Sequence, residues 1–340
     1  MNEKAGELIK EHALRQADLR NLYGNIQDQL ENVEKKLREL ARSSNPLIAE
    51  IGGYLFQKSG KRIRPALVLL CAGLFARGGE EAVLSAALVE FIHTASLLHD
   101  DIIDNSDTRR GMTSVHAKWG PNVTVLLGDY LYIKTLNLSL GSRFQRLTAI
   151  LTDVSARMIE GELQEYVQSG NLKLAEKDYL DIIDRKTASL FSASCRIGGI
   201  LGDASAAEEG ALADYGTNLG LCFQVIDDLL DYTGQAEDLG KPVLSDLIEG
   251  RITLPLIDAL RQNGRGDQDR IVQLLPEAKA NPAARGEILE IIRSGPSLDY
   301  AFRTAEAFCR KAKSFLDVVP SGPYRQSLSL LADYILQRNR

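Results

Sequence analysis

Two short acidic runs carry the chemistry of this chain: LLHDDIIDNSDTRRG at 97–111 and FQVIDDLLD at 223–231. At roughly 100° per residue, helix positions four apart lie about 40° apart, so Asp100 and Asp104 share a face, as do Asp227 and Asp231. Their Cβ atoms then stand about 5–6 Å apart, and like charges at that spacing destabilise a helix. The apolar flanks raise the cost further, because burial penalises the charged form. Each cluster therefore calls for a cation. All-carboxylate donors, with Asp101 and Asp228 completing the doublets and no His or Cys in the pattern, favour Mg²⁺ over Zn²⁺. Magnesium keeps much of its water and is held by one or two carboxylates plus substrate phosphates. Two such clusters on two helices could grip one diphosphate through several ions.

Cations accompany the acids. Arg109 and Arg110 follow the first cluster, and GKRIRP at 60–65 supplies Lys61, Arg62 and Arg64. Arginine forks match phosphate oxygens bidentately, whereas lysine offers a mobile point charge. Lys186-Thr187 and Lys241, in the loop DLGKPVLSD, add further donors. Each alone reads as an ordinary surface charge; beside two carboxylate clusters, Lys61, Arg64, Arg109 and Arg110 read as diphosphate ligands. GKR is not a nucleotide-binding P-loop, since no Gly stands five residues before Gly60 and Arg62 replaces the required Ser or Thr. The stretch LDIIDRK at 180–186 lacks both the doublet and the four-residue spacing, so Asp181 and Asp184 read as surface charges.

Helices must position these groups. Ile26, Leu30, Val33, Leu37 and Leu40 recur at steps of four and three, and 81–103, 147–167, 177–200 and 210–232 each read as one helix. VTVLLGDYLYI at 123–133 fits strand or helix; Gly120-Pro121-Asn122 before it is a helix start and decides for helix. No strand–helix alternation is present, which disfavours a doubly wound α/β fold. Gly- and Pro-rich stretches at 57–65, 105–122, 234–250 and 263–298 are too short and unbiased to be linkers. The expectation is an all-α fold: one domain over 1–340, a single large helical bundle around a central cavity, with 1–44 a peripheral N-terminal helical segment.

Composition agrees. Of 340 residues 44% are apolar and 25% charged, and a net charge of −6 offers no basic field for nucleic acid. Cys71, Cys195, Cys222 and Cys309 form no CxxC pair and read as reduced core thiols. No uninterrupted apolar run reaches the roughly 18 residues that span a bilayer. The N-terminus MNEKAGELIKEHALRQADLR is too charged for a signal peptide. A soluble, cytoplasmic protein without a transmembrane segment is expected, with peripheral membrane contact left open.

In order along the chain stand GKRIRP, His93 in FIHTASLLHDDIID, RRG at 109–111, KTA at 186–188, FQVIDDLLD, and GKPVLSDLIEGRITLP at 240–255. From about Asn45 onward this series resembles the trans-isoprenyl diphosphate synthases, the head-to-tail prenyltransferases. The resemblance implies the isoprenoid synthase fold, a homodimer, and Mg²⁺, three ions with substrate bound. It implies that Asp100, Asp104 and Asp227 are the principal metal ligands, with Asp101, Asp228 and Asp231 supporting. Arg109, Lys186, Thr187, Gln224 and Lys241 would grip the allylic diphosphate, and Lys61, Arg64, His93 and Arg110 isopentenyl diphosphate. Asp100, Asp104, Asp227 and Lys186 would carry catalysis, magnesium helping the allylic diphosphate depart before the isopentenyl double bond attacks. No general base stands beside the clusters, so the departing diphosphate would take the proton. Many relatives have Lys where this chain has Arg251, which stays outside the expected site, and His99 reads as structural.

Product length is read upstream of Asp100. Ser96, Ala95 and Ile92, four, five and eight residues before it, are expected on the wall of the elongation pocket. Short-chain relatives carry a bulky aromatic at the fourth or fifth position; small residues here favour a long, octaprenyl-like product of the quinone-side-chain type. Farnesyl or geranylgeranyl synthase is the alternative. A class I terpene cyclase would carry an Asn/Ser/Glu-type second motif, and an HD-type phosphohydrolase leaves the second cluster and Gln224 unexplained. A non-catalytic subunit of a heteromeric synthase would usually lose one cluster.

Overall fold

In the computed structural model, residues 22–337 are described, apart from 59, 110, 142–144, 235–243 and 263. Arg110 and Lys241 thus lie outside the described residues. Helices α1 (Gln27–Leu40), α2 (Pro46–Leu55), α3 (Ile63–Gly73) and α4 (Glu80–Ile103) come first. A small antiparallel hairpin, β1 (Thr108–Arg109) and β2 (Met112–Thr113), pairs Thr108 with Thr113 and Arg109 with Met112. Then follow α5 (Val115–Trp119), α6 (Pro121–Leu140), α7 (Gln145–Gln168), α8 (Glu176–Ile183) and α9 (Ser189–Leu201). The chain continues as α10 (Ala206–Thr233), α11 (Ser245–Ile248), α12 (Leu254–Gln262) and α13 (Arg265–Ala278). It closes with α14 (Pro282–Ser294), α15 (Ser297–Phe315) and α16 (Pro323–Leu336).

Local signals set several starts. Asn45 accepts the Leu47 and Ile48 amides ahead of Pro46, and Ser205 forms a reciprocal capping box with Glu208. The ambiguous 123–133 stretch is helix α6, starting at Pro121 as Gly120-Pro121-Asn122 predicts. One expected helix differs. Between α8 and α9, Asp184–Ala188 form a π-helical turn inside the 177–200 run.

Helix α9 lies at the centre, with Leu190, Phe191, Cys195 and Ile197 fully buried; it packs on α3 and α10, and α10 packs on α15. Helix α4 packs on α6, α3 and α1. It is long and apolar enough to cross a membrane by length and composition, but 67% of that window is buried inside the protein. Its apolarity belongs to the core. All four cysteines are buried and unbridged. The N-terminal segment is less peripheral than its charge suggests: Val33 and Leu37 of α1 are fully buried in the same core. By contrast, α6 and α7 leave Leu126, Ile133, Leu140, Leu163, Tyr166 and Val167 exposed.

Candidate active site

The acidic runs occupy the C-terminal ends of α4 and α10, two long helices that deliver them to one end of the bundle. A helix C-terminus carries partial negative charge, which makes carboxylates there costlier still and strengthens the demand for a cation. Asp100, Asp104, Asp227 and Asp228 line one cavity of about 1020 Å³ with Arg109, Lys186, Thr187 and Gln224. A second cavity of about 550 Å³ shares Asp100, Arg109, Lys186, Thr187, Gln224 and Asp227 and adds Arg64, His93 and Ser96. The two cavities adjoin, with these acids and cations between them and Tyr132, Met158 and Leu163 among the walls of the second.

Burial pushes Asp100 up to about 7, with Lys186 and Arg109 pulling against it and Glu162 and Asp104 adding to it. Asp228 is pushed up to about 8 by burial and the nearby Asp246. It accepts the Tyr179 hydroxyl at 2.6 Å and the Gln224 amide at 2.8 Å, and Gln224 in turn accepts the Thr187 hydroxyl at 2.8 Å. These bonds tie α8, the π turn and α10 together.

Two aspartates expected as supporting ligands are placed otherwise. Asp101 is 2% exposed and accepts Arg109 Nε at 2.5 Å, because one helix step turns it about 100° from Asp100. Asp231 is 1% exposed and accepts from Ser245 N at 3.1 Å, Ser245 Oγ at 2.9 Å and Asp246 N at 3.0 Å. It holds the start of α11. Among the described residues, no group of three or more His, Cys, Asp or Glu is arranged to hold a metal alone. Carboxylates that reach an ion only together with phosphate oxygens and water are what Mg²⁺ chemistry requires, so the donor set fits that ion.

Close packing fixes the cationic side. A Cβ on Gly161 of α7 would stand 2.6 Å from Lys186 N, and one on Gly220 of α10 would stand 2.5 Å from Ala188 Cα. Glycine at both places lets two helices clasp the π turn, which points Lys186 and Thr187 into the cavity. Lys186 Nζ lies 2.6 Å from both Glu162 and Glu165. Burial alone would lower its pKa, but these carboxylates and Asp100 outweigh it and raise it. Arg251 reaches Asp104 and Asp246, each at 3.0 Å, and Glu249. Sequence reasoning passed over Glu162, Glu165, Tyr179, Asp246 and the pairing of Arg251. Glu162 and Glu165 are spaced as on any wet helix face, and the adjacent Gly161 was the available signal. Asp181 and Asp184 pair with Arg185 and Arg157, away from both cavities.

Beyond the acids, Arg64 Nη1 lies 3.1 Å from His93 Nε2, with its guanidinium 4.7 Å from the Phe191 ring centre. Lys61 is exposed, its ammonium 5.8 Å from the Tyr334 ring centre. Ser96 lines the second cavity with His99, Tyr132 and Met158. Ala95 and Ile92, expected on this wall, are fully buried in the core and outside its lining. Five residues from Asp100 amounts to about 140° of turn, away from the cavity face. His99 sits in the wall, its Nε2 3.2 Å from the Val125 carbonyl.

Comparison with known proteins agrees with this geometry. The polyprenyl synthetase family model matches residues 45–292. Octaprenyl diphosphate synthase of Haemophilus influenzae is 36% identical over 310 residues, covering 91% of this chain and 94% of that protein. A Caulobacter crescentus polyprenyl synthase, solved with calcium and isoprenyl diphosphate, superposes with a TM-score of 0.90 at 34% identity, over 95% of this chain and 98% of that one. A decaprenyl diphosphate synthase from Rhodobacter capsulatus gives 0.89 at 35% identity, over 95% and 99%.

Proposed function

Since the chain belongs to the polyprenyl synthetase family, we propose that it condenses isopentenyl diphosphate head-to-tail onto an allylic diphosphate, building an all-trans, octaprenyl-like long-chain product. One observation carries this reading: carboxylates from two helices face a single cavity that also holds Lys186, Thr187 and Gln224 and adjoins a second lined by Arg64 and His93. That is a site with room and charge for two diphosphates.

Asp100, Asp104 and Asp227 would hold Mg²⁺, three ions with substrate bound, which supplies the neutralisation a departing diphosphate needs. Lys186 exchanges Glu162 and Glu165 for diphosphate oxygens, and Thr187, Gln224 and Arg109 orient the same group. Lys61, Arg64 and His93 hold isopentenyl diphosphate, with its double bond turned toward the allylic carbon. Arg110 and Lys241 join these grips by resemblance. The sequence offers no general base beside the two clusters, so on this reading the proton passes to the departing diphosphate. Tyr132, Met158 and Leu163 wall the space for the growing chain and keep water from quenching the cation. Ser96 leaves that wall open where short-chain relatives place an aromatic. The exposed apolar residues on α6 and α7 support a homodimer through that face, which light scattering after gel filtration would check.

The test is incubation with farnesyl diphosphate, radiolabelled isopentenyl diphosphate and Mg²⁺, with and without EDTA. EDTA-sensitive incorporation into long products is expected. No incorporation would refute the activity, and products stopping at geranylgeranyl would refute the length.

A further inference from the structure

Of the three cations in GKRIRP, Arg62 is the buried one, Lys61 being exposed and Arg64 half-buried. Its φ of 50° and ψ of 38° are left-handed, and its side chain is 7% exposed. Such a conformation costs a non-glycine residue about 1–3 kcal/mol and persists only where the surroundings over-determine it. Two carboxylates do so here. Arg62 Nε donates to Glu34 Oε1 at 2.6 Å and Nη2 to Glu34 Oε2 at 3.3 Å, while Nη1 donates to Glu90 Oε1 at 2.5 Å. Glu90 lies on α4, three residues before His93, the partner of Arg64. Glu34 lies on α1, and a second residue of the N-terminal segment, Tyr23, donates its hydroxyl to the Lys61 carbonyl at 3.0 Å. Both precede residue 45, where the family match begins.

We propose that Tyr23 and Glu34 are positioning residues for the isopentenyl diphosphate grip, acting through the Lys61 carbonyl and the Arg62 fork to fix where Lys61 and Arg64 point. This rests on the reading of Lys61 and Arg64 as ligands of that substrate. The physical logic is direct. With Arg62 drawn into the core at a left-handed residue, Lys61 stands exposed just before it and Arg64 faces the second cavity just after it. Releasing the fork lets the loop relax to ordinary backbone, and the two ligands lose their common aim. The allylic grip at Arg109, Lys186, Thr187 and Gln224 sits on other elements and does not feel the change.

Glu34→Gln keeps the shape and removes the charge; Tyr23→Phe removes one oxygen. Expected for Glu34→Gln is an approximately tenfold rise in KM for isopentenyl diphosphate, with kcat and the allylic KM within about twofold. Tyr23→Phe should raise the same KM about threefold. Calorimetric binding of isopentenyl diphosphate alone should weaken by matching factors, with melting temperature followed as the check on folding. An unchanged isopentenyl KM and binding constant in either folded variant, or an equal rise in both substrates' KM, overturns the proposal. Should Glu34→Gln fail to fold, Tyr23→Phe decides by the same criteria. A wild-type protein without turnover refutes the enzymatic reading instead, and the calorimetric comparison of wild type with variants still decides this one.

Discussion

Gly161→Ala strikes the cationic half of the site without touching a charge. The new Cβ would lie 2.6 Å from Lys186 N and 2.9 Å from Arg185 Cβ, whereas ordinary contact begins near 3.4 Å. These are backbone and stem atoms, with no flexible tip to swing aside. Retreat is blocked on the far side by α10, which meets Ala188 at Gly220. The π turn must therefore shift by just under about 1 Å, or α7 must bend. Two effects oppose each other. Alanine for glycine inside a helix stabilises by about 1 kcal/mol, and overpacking a tight contact costs about 1–3 kcal/mol. Because the contact is with backbone, the second wins, and the melting temperature should fall by a few degrees, at roughly 2–4 °C per kcal/mol. Displacing a positioned catalytic group by about 1 Å costs on the order of 100-fold, so kcat should drop about 10- to 100-fold. KM for isopentenyl diphosphate should hold, since Arg64 and His93 stand on α3 and α4. The assay is steady-state condensation with calorimetric melting. A variant with wild-type kcat and a raised melting temperature would show that the close approach of α7 does not set the position of Lys186.

Ser96→Phe should shorten the main product while leaving the first condensation active, as read by chromatography of dephosphorylated products; an unchanged length distribution refutes the wall assignment. Asp231→Ala leaves the Ser245 and Asp246 amides without their acceptor and should cost about 1–3 kcal/mol of stability. Unchanged denaturant stability with lost Mg²⁺ dependence would return Asp231 to the ligand set. Asp100 and Asp228 are raised from the ordinary 3.8 to about 7 and about 8, so the folded state holds protons that the unfolded chain has released. Their contribution is fully present below about pH 4 and lost as pH rises through these values. The metal-free protein should therefore melt progressively lower between about pH 4 and 8, and Mg²⁺ with pyrophosphate should reduce that fall. A flat or rising profile would contradict the burial of these carboxylates.

The long helices were legible because their apolar stripes repeat, and the acidic runs because like charges four residues apart need an explanation. What each carboxylate does was not legible. Asp101 and Asp231 belong to the same local patterns as Asp100 and Asp227, yet one turns to Arg109 and the other caps α11 across a loop. Nothing local to residues 227–231 announces the helix that will pack over them. The π turn is similar. Its cause lies in Gly161, 25 residues before Lys186, and Gly220, 32 residues after Ala188, which meet the turn only in the folded chain and belong to no motif of their own. Arg62 looked like its neighbours Lys61 and Arg64, and only the left-handed backbone separates them.

The ion pairs explain how so acidic a site folds before substrate arrives. Asp101 has Arg109, Asp104 has Arg251, and Glu162 and Glu165 have Lys186. Each pair is at least partly buried, and removing one partner of a buried pair costs about 3–5 kcal/mol because the other charge is left uncompensated. A diphosphate alone would draw Lys186 away and strand two glutamates beside Asp100. A divalent cation alone would gather Asp100 and Asp104 and release Arg251. Arriving together, each compensates the charge the other uncovers. By linkage the preference is mutual, each ligand tightening the other's binding by the same factor. On the proposed function, the resting pairs would both stabilise the site before substrate arrives and make it take metal and diphosphate as one unit.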